Sequence, residues 1–163
     1  MSVEIKNVDS GNVAEIAALA KIIWNEHFTP IIGKAQVDYM LEKFQSEQAM
    51  KQQLKDGMKY IAVYSNGELA GYSGYKLEDN ALFLSKLYVK SEKRGLGLGK
   101  AMFTYELNTA KNECKEKIYL TVNKHNANTI AVYEHLGFVN AKSTVTDIGN
   151  GFVMDDYIME YYI

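Results

Sequence analysis

The stretch Arg94-Gly95-Leu96-Gly97-Leu98-Gly99-Lys100 constrains this chain more than any other, because of what stands on either side of it. A strand-like run, Leu82 to Val89, leads in, and an amphipathic helical pattern leads out. Glycines at such a junction remove Cβ atoms where a ligand must approach the main chain, so that successive N–H groups and the helix N-terminus can face an anion. Arg94 and Lys100 add positive charge at the two ends. The spacing excludes two familiar phosphate loops. A Walker A loop needs Ser or Thr after its lysine, and Lys100 is followed by Ala101-Met102. A dinucleotide fingerprint needs a third glycine three residues after Gly97, and Lys100 stands there.

The Arg94, Gly97, Gly99 pattern that remains resembles the pyrophosphate-binding motif of the GNAT N-acetyltransferase superfamily, which holds coenzyme A. A second ordered signature supports the resemblance: the strand-like run Leu120 to Asn123, then Asn126, then a helical stretch carrying Tyr133, then Gly137-Phe138. The resemblance covers about Leu82 to Phe138 closely. It implies an α/β (mixed α+β) fold with a central twisted, mostly antiparallel sheet, helices on both faces, and two parallel strands that splay apart to admit pantetheine.

It also implies a site. The strand end Leu87-Tyr88-Val89 would pair with pantetheine as though with an extra strand, a free N–H near Leu87 would meet the thioester carbonyl, and main-chain amides from Gly95 through Leu96, Gly97, Leu98 and Gly99 to Lys100 would grip the diphosphate with Arg94. Tyr133, seven residues after Asn126, matches the family's general acid; without that motif it would read as a core tyrosine. Asn126 and Asn128 open its helix, where an Asn caps N–H groups and also presents an amide to coenzyme A. Acetyl-CoA is thus the expected co-substrate, and no metal is expected. Asn123 and His125 read as turn residues.

The base that receives the acceptor's proton is open among Glu26, His27, Asp155, Asp156 and water; Glu26 is preferred because Trp24 and Phe28 flank it as aromatic walls. Asp155 and Asp156 are adjacent in a strand, so one must face the covered or cleft side. The flanking stretches Trp24 to Phe28 and Phe152 to Met159 look like those of bacterial polyamine acetyltransferases, which makes a small amine such as a polyamine the first acceptor class. A protein or peptide amine, or a non-catalytic coenzyme A-binding module, are the alternatives.

Composition fits one domain over 1–163. The 163 residues suffice for a core, and the single proline, Pro30, with no Gly/Ser linker or repeat, marks no boundary. Cys114 stands alone, excluding an intrachain disulfide; a buried or passive thiol in a cytoplasmic protein is expected. A net charge of −2 argues against a nucleic-acid partner, and no window is apolar for long enough to be a signal peptide or membrane span.

Elsewhere, Val3–Val8 alternates as a strand, Asp9 or Ser10 is placed to cap a helix, and Val37, Met40, Leu41 and Phe44 begin a stripe that continues past Ser46 to about Leu54. Asn66-Gly67 marks a hairpin. Tyr157 to Tyr162 reads as a sheet edge or the seam of a homodimer.

Overall fold

The computed structural model describes residues 2–163. In chain order, β1 (Val3–Val8) is followed by α1 (Val13–His27), α2 (Thr29–Ile32), α3 (Lys34–Phe44) and α4 (Glu47–Lys55). A meander, β2 (Lys59–Ser65), β3 (Glu68–Leu77) and β4 (Ala81–Val89), then leads through a 3-10 turn and the glycine loop to α5 (Leu98–Asn112). The chain closes with β5 (Lys117–Asn123), α6 (Ala127–Leu136), β6 (Val139–Gly149) and β7 (Phe152–Tyr162). The strands form one sheet in the order β1-β2-β3-β4-β5-β7-β6. Only β4 and β5 run parallel, as the expected fold requires.

Local chemistry accounts for most boundaries. Asn66 and Gly67 take φ values of 52° and 81°, which L-residues other than Asn and Asp rarely tolerate, and they turn β2 into β3. Two helix starts differ from the sequence reading. Asn12, not Asp9 or Ser10, holds the α1 cap position, and its Oδ1 accepts from Asp9 N at 2.7 Å instead of from a helical N–H. Ser46 ends the stripe that was expected to run on to Leu54: its Oγ accepts from Ala49 N at 3.1 Å and starts α4 afresh. Cys114 is exposed, with φ 56°, in the turn after α5.

The sheet has a core on each face. On one, Leu98, Met102, Phe103 and Ala110 of α5 and Tyr133 of α6 pack on Ile61, Leu82, Leu84, Ile118 and Met159. On the other, Val13, Ile16, Ile23 and Trp24 of α1 join Val37 and Met40 of α3 and Met50 of α4 over Tyr60, Ala62 and Tyr72. The tail corrects a further expectation. Strand β7 lies between β5 and β6, and Tyr157 to Glu160 are flanked by paired strands on both sides, so this stretch is not a sheet edge. Among the described residues no helix is long and apolar enough to cross a membrane.

Candidate active site

Strands β4 and β5 pair only at Ala81, Leu82 and Phe83 and then diverge. From Leu84 onward the β5-facing edge of β4 has lost its partner strand, and the direction of its amides follows from one bond. Lys90 N donates to Ala70 O of β3 at 2.8 Å, so by strand alternation the Tyr88 and Lys86 amides also face β3. The amides of Leu87 and Val89 therefore face the divergent edge. Both are backbone donors that a ligand can satisfy, and Leu87 is the residue expected to do so.

A bulge decides which side chains reach this edge. Lys86 opposes Gly74 and Leu84 opposes Tyr75, leaving Ser85 without a partner on β3. Before that extra residue, Leu82 and Leu84 face α5; after it, Leu87 and Val89 do. The same shift sends Tyr88 to the opposite face, against Trp24, Phe28 and Tyr72, at ring-centroid separations of 5.7, 6.0 and 5.4 Å.

Beyond β4, Gly95 and Gly97 take φ values of 79° and 78°, and a Cβ built on either would meet nothing within 4 Å. Glycine is required there for backbone conformation, and the space over the loop is open to a ligand. Gly97 holds the cap position of α5, so the helix N–H groups lie at the same loop. Leu98 turns its side chain into the core and leaves only its main chain to the loop, while Leu96 is 45% exposed. Arg94 lies at the divergent edge, where its Nε donates to Val89 O at 3.3 Å. An open cradle of amides with Arg94 and Lys100 beside it fits the diphosphate of coenzyme A.

A cleft of about 630 Å³ opens at the divergence and reaches the α1–α4 side of the sheet. Its lining includes Leu87, Tyr88, Val89 and Arg94 together with Asn126, Asn128 and Tyr133, residues drawn from segments far apart in sequence. Trp24, Phe28, Phe44, Phe83 and Tyr88 give it aromatic walls.

Tyr133 is 7% exposed; burial and the Glu106 carboxyl push its hydroxyl well above the usual phenol range. Asn126 does not cap α6 with its side chain; its Oδ1 accepts from His27 Nε2 at 3.1 Å. His27 lines the cleft, and burial lowers its pKa, with Arg94 acting in the same direction against the Asn126 bond. Of the adjacent aspartates, Asp156 enters the cleft, 4% exposed, and its carboxyl is pushed up to about 6 by burial and by Asp155. Asp155 turns to the other side and pairs with Lys124 at 2.9 Å.

Glu26 stands apart from this group. It is exposed, accepts from Ser91 Oγ at 3.0 Å, and is absent from the cleft lining, whereas Trp24, His27 and Phe28 around it all contribute. Helical spacing is the reason: positions i, i+3 and i+4 share a face, and a residue two along from Trp24 points about 200° away.

Two buried charges were missed in the sequence. Lys86, just after the bulge, spends its three donors on Phe44 O (2.5 Å), Gln53 Oε1 (2.8 Å) and Tyr60 Oη (2.6 Å), tying α3 and α4 to the sheet. Burial without a counter-ion lowers its pKa to about 7. Glu106, fully buried in α5 beside Ser73, Tyr75 and Tyr133, has no partner in good hydrogen-bond geometry for either oxygen, and burial, opposed only by the nearby Ser73 hydroxyl, pushes its carboxyl up to about 8.

A splayed parallel pair, a glycine cradle at a helix start and a cleft between them define an acyl-CoA transferase site, and a model of the acetyltransferase (GNAT) domain matches residues 28–160. The chain belongs to the GNAT family and is an acetyl-CoA-dependent N-acetyltransferase. It is 27% identical over 150 residues to the spermine/spermidine N(1)-acetyltransferase of Bacillus subtilis strain 168, a match spanning 85% of this chain and 88% of that protein. The PaiA N-acetyltransferase of Thermoplasma acidophilum in complex with coenzyme A superposes with a TM-score of 0.84 at 19% identity, over the whole of both chains. A GCN5-related N-acetyltransferase structure from Rhodopseudomonas palustris gives 0.83 at 14% identity, over 100% of this chain and 97% of that one.

Proposed function

We propose that the acetyl acceptor is a small primary amine, with a polyamine first among candidates, and that Asp156 receives its proton while Tyr133 serves the departing sulfur. One observation carries this reading: Asp156 is the sole carboxylate among the cleft-lining residues, and it sits buried in a cleft with aromatic walls. A carboxylate attracts an alkylammonium, and aromatic faces hold one through cation–π contact. Lys86, with its pKa near 7, is largely uncharged above neutrality and then opposes a cation little. The resemblance to the spermine/spermidine N(1)-acetyltransferase supports a polyamine within that class.

Acetyl-CoA supplies the activated acetyl group as a thioester. The Gly95–Lys100 amides and Arg94 would hold its diphosphate, and the Leu87 N–H would donate to the thioester carbonyl as negative charge develops there. The nitrogen attacks as the neutral amine, its ammonium proton having passed to solvent, and it becomes a strong acid as it bonds to carbon, so Asp156, ionised above about pH 6, takes the remaining proton at that stage. Tyr133 keeps its own proton throughout the working range. Full transfer from so weak an acid to a thiolate of pKa about 8.5 is uphill, so its contribution is a donated hydrogen bond to the leaving sulfur.

An amine panel resolved by mass spectrometry tests the reading. Spermidine or spermine should be acetylated with kcat/KM at least about tenfold above a peptide N-terminus or an amino sugar, one decade being about 1.4 kcal/mol of transition-state discrimination. A preference for the peptide or the sugar refutes it.

A further inference from the structure

The Leu87 amide shares its peptide unit with the Lys86 carbonyl. In a planar trans peptide the two point in opposite directions, so whatever holds the carbonyl aims the N–H. The Lys86 carbonyl points to β3, where Ser73 Oγ donates to it at 2.5 Å. Ser73 is fully buried and stands opposite Leu87 in the strand register.

We propose that Ser73 is a positioning residue for acetyl transfer: its hydroxyl clamps the Lys86–Leu87 peptide from behind and fixes and strengthens the Leu87 N–H as a donor to the thioester oxygen. The inference rests on the role given above to the Leu87 amide. Three observations carry it. The bulge at Ser85 has disturbed the β3–β4 register immediately beforehand, so this peptide lies where a side chain has most reason to reinforce the ladder. A hydrogen bond accepted by a peptide carbonyl polarises the unit and makes its N–H a better donor. Finally, the peptide's other side faces the divergent edge, where β5 no longer supplies a partner.

Glu106 completes the device. Its carboxyl lies beside Ser73 and bears on the same hydroxyl, whose geometric acceptor at 2.5 Å is Lys86 O. A neutral carboxyl leaves that arrangement in place. An ionised one would compete for the hydroxyl.

The test pairs kinetics with the Leu87 amide resonance, followed in labelled protein as a methyl-ketone analogue of acetyl-CoA is added; the analogue keeps the carbonyl and cannot transfer. In the unaltered protein the resonance should move downfield. If it does not respond, the Leu87 reading fails and takes this inference with it. In Ser73→Ala the downfield shift should shrink, and kcat should fall about tenfold, less than the loss of a whole oxyanion donor, while KM for acetyl-CoA stays within about twofold. An equal shift, or unchanged kcat in the folded variant, overturns the role of Ser73 and leaves that of Leu87 standing. Should Ser73→Ala not fold, Ser73→Cys replaces it: its weak S–H donor should give the same losses in smaller measure, and wild-type values would overturn the proposal.

Discussion

Replacing Glu106 by leucine should make the protein progressively more stable than the wild type as pH rises. Glu106 lies inside α5's core face without a partner in good hydrogen-bond geometry, and burial has raised its carboxyl from 4.5 to about 8. Between those values the folded state holds a proton that the unfolded chain has already lost. The native state therefore binds more protons, and stability falls with rising pH by up to about 1.4 kcal/mol per unit, flattening above about 8. Leucine, near glutamate in size and at home beside Met102 and Phe103, removes this titration. The packing difference between the two side chains is independent of pH and cancels when the slopes are compared. Asp156 and Lys86 titrate in both proteins and cancel as well. Tyr75 and Tyr133, which face Glu106, ionise at about 12 or above. Urea unfolding at several values from about pH 5 to about 7.5 should show the advantage of Glu106→Leu growing by about 3 kcal/mol, or on the order of 10 °C in Tm. Parallel stability curves would refute the claim that this carboxyl is buried and neutral.

Three further outcomes are expected. Tyr133→Phe removes only the hydroxyl, so kcat should fall at least about tenfold in a thiol-release assay while KM for acetyl-CoA stays within about twofold. Gly97→Val forces a β-branched residue to φ 78° and should raise that KM about tenfold through a backbone penalty of about 1–2 kcal/mol, with kcat little changed. For Asp156, the proposed base, whose folded pKa is raised to about 6, wild-type kcat/KM should climb with pH through that value as the carboxylate forms; Asp156→Asn should lower it about a hundredfold and abolish the limb.

How much of this was legible in the sequence depends on how local the cause is. The hairpin at Asn66-Gly67, the strand and helix on either side of the glycine loop, and the strand and helix around Asn126 follow from turn chemistry and periodicity, and they appear as expected. The choice between Asp155 and Asp156 required only strand alternation plus knowledge of which face is open. Glu26 was readable and was misread: aromatic neighbours in sequence suggested a shared pocket, yet helical spacing puts Trp24, His27 and Phe28 on one face and Glu26 off it. The position of β7 was not readable, because pairing with β5 on one side and β6 on the other is a long-range choice. A tyrosine-rich terminal strand looks the same inside a sheet as at its edge.

The bulge in β4 is the instructive case, since the sequence does carry a trace of it. Leu82 and Leu84 occupy even positions and Leu87 and Val89 odd ones, a one-residue change of phase in the residues packed toward α5. An extra residue in a strand leaves that mark. It went unread because Phe83 and Tyr88 fill the alternate positions and make the run apolar on either side of Ser85-Lys86, so either phase looks satisfied there. The polar residues on and around the bulge resolve the ambiguity. Lys86 is tolerable only if its stem crosses the covered face to reach Phe44 O, Gln53 and Tyr60, and Ser73 only if its hydroxyl finds the carbonyl beside the irregular pair. A lysine and a serine on opposite faces of adjacent buried strands thus do not weaken the assignment of those strands. They locate the point where the ladder is broken, which is also where β4 turns an unpaired amide toward the cleft.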